Sequence, residues 1–274
     1  MIDAWLAFTS SSVMREALPP ALLIAVVASS MSIMVLAHRL SFLTVGVSHA
    51  SLAGLGLAVT FSLPLLPTAT LFCVGIALIL AWLPKKRGIT EDTGTGLLFA
   101  GSMALGIILM SNASRNQVDL FGLLFGNILT VTPSEWHWLV LIGSLILSTF
   151  LWFARAWWSI AFDATTAAAG GMRVATLTLC LYGMVGLSVV MCVKLAGIVL
   201  TTGLLVLPAT CAWFWGRSLL QLWCISMLCA ILATLIGLFI SYTYDWPSGA
   251  TIVLTLCMMF LISWGATWRT QHKR

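Results

Sequence analysis

The stretch from Ala175 to Leu207, ATLTLCLYGMVGLSVVMCVKLAGIVLTTGLLVL, decides what kind of protein this chain forms. It carries one charged residue, Lys194, and is longer than the ~20 apolar residues that a helix needs to cross a bilayer. The run is therefore either one tilted helix or two short helices broken near Lys194-Leu-Ala-Gly197. The choice between the two sets the number of membrane crossings.

Apolar runs of the same kind fill most of the remaining chain. They extend over Leu18–Ala37, Ser41–Phe61, Pro67–Leu83, Gly94–Met110, Trp136–Leu151, Leu219–Ile240 and Ser248–Trp268. Charged residues make up only 8% of the sequence and the mean hydropathy is +1.07, which excludes a soluble globular protein. The sequence predicts an all-α polytopic membrane protein with about eight transmembrane helices, or nine if the long run crosses twice. All of residues 1–274 are expected to form a single transmembrane domain.

Basic residues at the ends of the runs indicate the orientation, because cytoplasmic segments are enriched in Lys and Arg. If the long run crosses twice, the N-terminus is external and the following residues are all cytoplasmic: Arg39, Lys85, Lys86, Arg87, Arg155, Arg173, Arg217, Arg269, Lys273 and Arg274. If it crosses once, both termini are cytoplasmic and the cluster Lys85–Arg87 is external. Both alternatives place Arg217 and the C-terminal RTQHKR inside.

The net charge of +5 does not indicate a nucleic-acid partner, because the basic residues lie at segment ends and form no stripe. The phosphate-binding pattern G-x-x-x-x-G-K-[ST] is missing, since no lysine of the sequence follows a glycine. If the protein is driven by ATP, the ATPase must be another chain.

His49 stands in the middle of the apolar run SFLTVGVSHASLAGLGLA, Ser41 to Ala58. An ionisable group at membrane depth is costly, and it usually faces a pathway or a buried polar contact. Thr44, Ser48 and Ser51 share one helix face next to it, so this side of the helix can line a path. Imidazole is a common ligand of zinc and similar metals. The alternative is a histidine that only hydrogen-bonds a neighbouring helix.

Two further features have open interpretations. Lys194 either extends its side chain to the interface or marks a helix break that lines a cavity. Pro208 is expected to end or kink a helix, and a short amphipathic segment up to Arg217 then either docks into a partner or forms an interfacial turn held by Trp213 and Trp215.

Six segments, taken in order, carry a resemblance to a known family. They are SFLTVGVSHASLAG, EDTGTGLLFAGSMALGIILMS, LFGNILTVTPSEW, FDATTAAAGGMRV, VKLAGIVLTTGLLVLPAT and DWPSGATIVL. In order and spacing they resemble the permease subunits of bacterial zinc- and manganese-type ABC importers. The resemblance extends from about Leu40 to Trp268, nearly the whole chain.

The resemblance implies a multi-pass permease of the bacterial cytoplasmic (inner) membrane, with a fold like that of the vitamin B12 and siderophore importers and eight spans. It implies a homodimer or paired permease, two separate ABC ATPase subunits and an extracytoplasmic metal-binding protein. It also implies that the stretch with Pro208, Ala209 and Thr210, and the residues after it to Arg217, lead into the element that contacts the ATPase.

The family's metal contact within the membrane is an Asp and a His four residues apart on one helix. The His corresponds to His49, the Asp position holds Val45, and the Gly that usually precedes the Asp is Thr44. Loss of a hard oxygen ligand favours zinc over manganese. Two alternatives are that transport needs only a transient contact, or that Met103, Ser102 or Cys73 completes the site.

The function expected from the sequence is that of a transport subunit without enzymatic activity of its own. It would carry a divalent transition metal, with zinc ahead of manganese and iron, along a pathway past His49, Ser48, Ser51, Thr44 and Met103, and it would hold no permanent cofactor. One alternative is a secondary carrier or channel that works without an ATPase. Another, a membrane-embedded enzyme, lacks an HExxH motif and a carboxylate within a span to assist His49.

Overall fold

The structure is a computed structural model that describes residues 11–83, 90–112, 126, 128 and 131–271. The basic cluster Lys85–Arg87 and the residues after 271 lie outside this part. The described helices are α1 Ser12–Ala37, α2 Ser41–Thr60, α3 Leu65–Trp82, α4 Glu91–Asn112, α5 Pro133–Phe162, α6 Ala164–Ala169, α7 Val174–Trp213, α8 Leu219–Tyr244 and α9 Ser248–Gln271.

All of these helices except α6 are long and apolar enough to cross a membrane, which gives 8 candidate spans in the described chain. The described residues contain no β-strand, and the prediction of an all-α membrane protein is confirmed. Helices dominate because the hydrocarbon layer offers no water to hydrogen-bond an exposed backbone. Helices α1, α2 and α7 are mostly buried, whereas α4, α5 and α9 turn most of their surface outward.

Helix α5 is longer than the run Trp136–Leu151 from which it was predicted. It begins at Pro133 with a capping box in which Thr132 accepts a hydrogen bond from the Glu135 amide and Glu135 accepts one from the Thr132 amide. It continues past Arg155 to Phe162. The predicted span stopped before Arg155 because a charged residue lowers the mean hydropathy of the segment. One exposed cation near a membrane surface does not interrupt a helix, however.

Helix α7 is interrupted at Gly197, whose backbone angles are φ 77° and ψ 173°. Its first arm, residues 174–196, runs alongside α1 and α5. Near its start, the carbonyl of Leu177 accepts a hydrogen bond from the indole of Trp157 at 2.8 Å, and the Trp157 carbonyl in turn lies 2.9 Å from His38, at the end of α1. Near its end, Lys194 lies 2.8 Å from Glu135, at the start of α5.

The second arm of α7, residues 198–213, returns to the end where the first arm began. The amide of Ala209 donates to the hydroxyl of Ser32, near the end of α1, at 3.0 Å. Ala209 therefore lies close to the level of Leu177 and far from that of Lys194. The long apolar run crosses twice, so the described helices make nine passes through the membrane, α7 supplying two of them.

The two ends of the bundle differ in charge. We call the end with Arg39, Arg173 and Arg217 the basic end, and the end with Glu135, Lys194 and Asp245 the opposite end. Helix α8 starts at the basic end, because the indole of its Trp223 donates to Ser30 of α1 at 2.9 Å, and it reaches the opposite end at Asp245. The positive-inside tendency assigns the basic end to the cytoplasm. Of the two topologies open from the sequence, the described helices follow the one in which the long run crosses twice.

The reversal at Gly197 involves a close backbone contact between two glycines, Gly197 and Gly126. The angles of Gly197 belong to a region that residues with a Cβ essentially do not adopt. Gly126, with φ 76°, lies directly against it, and a Cβ added to Gly126 would come within 2.6 Å of the Ala196 carbonyl carbon. Two glycines thus allow the loop before α5 to touch the break itself.

Accessibility of single cysteines tests this topology. In a variant without the native cysteines, Met172→Cys and Arg217→Cys, which flank the two ends of α7, are expected to react with a membrane-impermeant thiol reagent only from the cytoplasmic side. The reason is that the second arm of α7 returns to the basic end.

Asp245→Cys serves as the control and should react only from the outside. Labelling of Met172→Cys and Arg217→Cys from opposite faces would mean that α7 crosses once.

Candidate functional site

His49 lies in α2, with its side chain half-buried at the surface of the bundle. Its ring stacks edge-on against Phe99 of α4, with ring centroids 4.9 Å apart and an interplanar angle of 85°. From Ser41, at the basic end, the eight-residue rise along the helix is about 12 Å, which places the imidazole inside the hydrocarbon layer. The structure thus holds an ionisable ring at membrane depth on an open side of the bundle.

That open side of α2 also carries Val45 and Phe42, both of which keep part of their surface exposed. Deeper in the membrane the side closes, because Gly106 of α4 packs against Leu52 and Ala53. Helices α2 and α4 also meet on the basic side of His49, where Gly46 packs against Thr95, so the half-buried His49 lies at the edge of a contact that runs along both helices. Val45, at the position where the family has an Asp, lies one helical turn nearer to the basic end.

Thr44, Ser48 and Ser51 point in a different direction from His49, about 100–160° around the helix. All three are fully buried, and each hydroxyl donates to a carbonyl of its own helix, at 2.7 Å, 2.9 Å and 2.5 Å respectively. This geometry keeps their polar groups satisfied in the packed interior. The structure does not bring them to the open side of His49, and their part in a pathway stays a prediction.

The residues considered as additional ligands are also distributed around the helices. Met103 is half-buried one turn along α4 from Phe99. Ser102 is buried and donates to the carbonyls of Leu98 and Phe99. Cys73 is fully buried, with its thiol 3.7 Å from the carbonyl of Val47. Within the described chain, no group of three His, Cys, Asp or Glu side chains could hold a metal ion.

A small polar cavity of about 10 Å³ lies at the basic end, next to the open side of α2. Arg39, Phe42, Glu91, Asp92 and Tyr182 contribute to its lining. The Tyr182 hydroxyl donates to Glu91 at 2.9 Å. The sequence shows both carboxylates, Glu91 and Asp92, just before an apolar run. They lie in the first turn of α4, and this position could have been predicted because helix N-termini favour acidic residues.

His38 is a second histidine at the basic end, which the sequence did not single out. It caps α1, and its Nε2 lies 2.9 Å from the carbonyl of Trp157. Burial lowers the pKa of His38, while the hydrogen bond to Trp157 and the charge of Glu91 act in the opposite direction. A neutral His38 that donates through Nε2 fits this position and joins α1 to α5.

Lys194 forms an ion pair with Glu135, and it is the one ion pair among the described residues. Both side chains are about one-fifth exposed, at 19% and 20%. The second carboxylate oxygen of Glu135 accepts the amide of Thr132, so the pair joins the cap of α5 to the turn before Gly197. Lys194 thus lies three residues before the helix break at Gly197, and its place in a cavity or pathway stays a prediction.

The stretch from Pro208 to Arg217 differs from its prediction in form. The helix does not end at Pro208 but continues to Trp213, and no separate amphipathic segment follows before α8. Pro208 and Ala209 are buried against α1, where Ser32 accepts a hydrogen bond from the Ala209 amide and donates one to the carbonyl of Val206. Thr210 donates to the carbonyl of Leu207 within the helix. Arg217 reaches the exposed surface of the basic end, together with Trp213, Phe214 and Trp215.

An exposed short helix, α6, lies at the basic end between α5 and α7. Asp163 caps it through the amides and hydroxyls of Thr165 and Thr166. Hydrogen bonds, the hydroxyl of Thr166 first, hold the pKa of Asp163 well below its usual range. The helix ends at Gly170 and Gly171. In the sequence, this segment contributed to the family resemblance but was not predicted to be a site.

Eight apolar helices of spanning length, one of them reversed at Gly197, make the described part of this chain a multi-pass membrane bundle. The sequence profile described as "ABC 3 transport family" matches residues 10–266. The chain belongs to this family, and it is a multi-pass protein of the cytoplasmic membrane.

Known proteins similar to the chain agree with this assignment. It is 31% identical over 250 residues to the manganese import system permease protein ScaB of Streptococcus gordonii, covering 91% of this chain and 90% of that protein. It superposes with a TM-score of 0.86 on a chain of PsaBC from Streptococcus pneumoniae, at 29% identity and with 96% and 95% of the two chains covered. The chain also superposes on a metal-chelate type ABC transporter, solved in an inward-facing conformation, with a TM-score of 0.69 and 18% identity, covering 93% of this chain and 89% of that chain. At this identity the similarity concerns the fold alone.

The contact between Ser32 and the second arm of α7 yields a stability prediction. Ser32→Ala should lower the free energy of unfolding by about 1–3 kcal/mol, because it leaves the buried Ala209 amide without an acceptor. Reversible unfolding of the purified protein in mixed micelles measures the change.

Ser148→Ala is the matched control, since that exposed hydroxyl donates only to Leu145 of its own helix. An unchanged stability of Ser32→Ala would show that Ser32 does not hold α1 and α7 together.

Proposed function

We propose that the chain is the membrane-spanning subunit of an ATP-driven importer of a divalent first-row transition metal. ATP hydrolysis takes place in separate subunits, and the metal passes His49 on its way across the membrane. The observation that carries the proposal is the half-exposed imidazole of His49 at membrane depth, in a chain of the ABC 3 transport family.

His49 is suited to a transient contact with a metal ion. Its ring packs against Phe99, but no described hydrogen bond occupies its nitrogens, so one nitrogen is available as a ligand. One imidazole binds a divalent ion weakly, and a transport site must release its ion. Two copies of the chain with their open sides facing each other would supply two imidazoles.

The surface around His49 supports such pairing. Helix α4, which packs on α2 beside His49, exposes a broad face that includes Leu97, Ala100, Gly101 and Ala104. Small side chains allow close helix approach in lipid, where no hydrophobic effect favours association. In a homodimer or paired permease joined there, His49 would lie at the interface between the two subunits.

Two observations bear on which metal is carried. The similarity to a permease named for manganese import supports manganese. Val45 in place of the family's Asp removes a carboxylate from the side that carries His49, and a site built from imidazole alone suits zinc better than manganese. Iron is the third candidate. The metal is cargo, and no permanently bound cofactor is proposed.

Partners would attach at the two ends of the bundle. At the basic end, α6 and the exposed Arg217 form the surface that two ATPase subunits can reach, while Pro208, Ala209 and Thr210 transmit motion through the second arm of α7 to α1. From His49, an ion would leave past Glu91 and Asp92, whose charges attract cations. An extracytoplasmic metal-binding protein would deliver the ion at the opposite end.

The alternative, a secondary carrier or channel, differs in its energy source. The match to the ABC 3 transport family favours coupling to an ATPase. Metal transport by the purified chain in liposomes without an ATPase subunit would support the alternative instead.

Replacing His49 tests the pathway. His49→Ala is expected to reduce metal accumulation to the background of cells without an importer, because the membrane segment then lacks its ligand. Elemental analysis of complemented cells gives the uptake, and co-purification with the ATPase subunit shows that the complex still forms.

His137→Ala is the matched control, because His137 is exposed at the opposite end and contacts only the carbonyl of Pro133. Uptake at the wild-type level in His49→Ala would remove His49 from the pathway.

Restoring a carboxylate tests the role of position 45. Val45→Asp should raise the ratio of manganese to zinc uptake several-fold, because it adds an oxygen ligand one turn from His49. Competition between the two metals in the same cells measures the ratio.

Ser41→Asp places a carboxylate one further turn towards the basic end and serves as the control for added charge. An equal shift in both variants would assign the effect to charge alone, and no shift in Val45→Asp would exclude position 45 from metal selection.

A further inference from the structure

A groove separates α5 from the start of α8 on the outside of the bundle. Its volume is about 480 Å³, and its walls include Leu151, Arg155 and Trp158 on one side and Ser218, Leu220 and Trp223 on the other. None of these residues belongs to the pathway past His49 or to the contacts proposed for the ATPase.

The groove lies at the level of the cytoplasmic membrane surface. Trp157, next to Trp158, contacts His38 and Leu177 at the basic end. From Trp158 the lining descends along α5 to Phe150, a distance of about 12 Å towards the middle of the bilayer. The groove therefore spans the headgroup region and the upper acyl region of the inner leaflet, and tryptophans are common at this depth.

The groove is apolar along its length and basic at its mouth. Leu151 and Leu220 expose 64% and 65% of their surface to it and to the surrounding lipid. Arg155 is exposed, and no carboxylate of the described chain pairs with it, since the ion pair of that part joins Lys194 and Glu135. An amphiphile with an apolar chain and an anionic head complements both parts.

We propose that the groove binds an anionic glycerophospholipid of the inner leaflet. An acyl chain lies between Leu151 and Leu220, and the phosphate and anionic headgroup lie against Arg155. Basic pockets between transmembrane helices on the cytoplasmic side favour such lipids. A second copy of the chain fits less well, because a two-fold contact centred on the groove would bring two Arg155 side chains together.

Lipid titration of the purified permease tests the charged part of the site. Native mass spectrometry of the protein in a neutral detergent measures binding of phosphatidylglycerol and, separately, of phosphatidylcholine. Arg155→Gln should weaken phosphatidylglycerol binding about fivefold, as expected for the loss of one basic residue, and leave phosphatidylcholine binding unchanged. Arg173→Gln, which removes an exposed arginine of the same end outside the groove, should change neither.

A second pair of variants tests the apolar part. Leu151→Trp fills the groove and should weaken binding of both lipids, whereas Leu141→Trp, at an exposed position elsewhere on α5, should not. Equal phosphatidylglycerol binding by wild type and Arg155→Gln, or an equal loss in Arg173→Gln, would overturn the proposal. A change in the ratio of monomer to dimer in Leu151→Trp, without a change in lipid binding, would assign the groove to a contact between copies and also overturn it.

Discussion

The reversal of α7 at Gly197 is the constraint on which the rest of the bundle depends. It brings the second arm of the helix back along α1, so that Arg217 and Arg39 lie at the same end. Only glycine accepts the backbone angles of the break, and Gly126 packs on it where a larger residue would overlap. The ion pair of Lys194 with Glu135 joins the turn before the break to the start of α5.

The same structure shows how polar groups are accommodated inside a membrane bundle. Ser29, Ser30 and Ser32 of α1 are all buried, and they contact α8 and the second arm of α7 through Ser226, Trp223 and Ala209. In hydrocarbon an unsatisfied donor is costly, so these contacts fix the relative positions of three helices. His49 differs, because its ring has an aromatic neighbour but no described hydrogen-bond partner, and this difference is the reason why we propose it for the metal pathway.

The sequence predicted some parts of the candidate site better than others. His49 was found because a titratable residue within an apolar run is conspicuous. The direction of the neighbouring polar side chains could not be predicted in the same way. Helical spacing placed Thr44, Ser48 and Ser51 near His49 but did not show that their hydroxyls bond their own helix. Pro208 suggested a helix end or a kink, and the helix continues to Trp213 with the Ala209 amide bonded to Ser32, a residue distant in sequence. Such contacts are set by which helices become neighbours, and hydropathy carries no information about that.

Composition by itself determined that this chain is an all-α membrane protein, because apolar runs of spanning length can satisfy their backbone in lipid only as helices. The order of six segments determined its family. The tertiary structure decided the number of crossings, because a break at one glycine and its contacts with Gly126, Glu135 and Ser32 are relations between distant residues. It also decided which side of α2 is open, since that depends on where α4 packs.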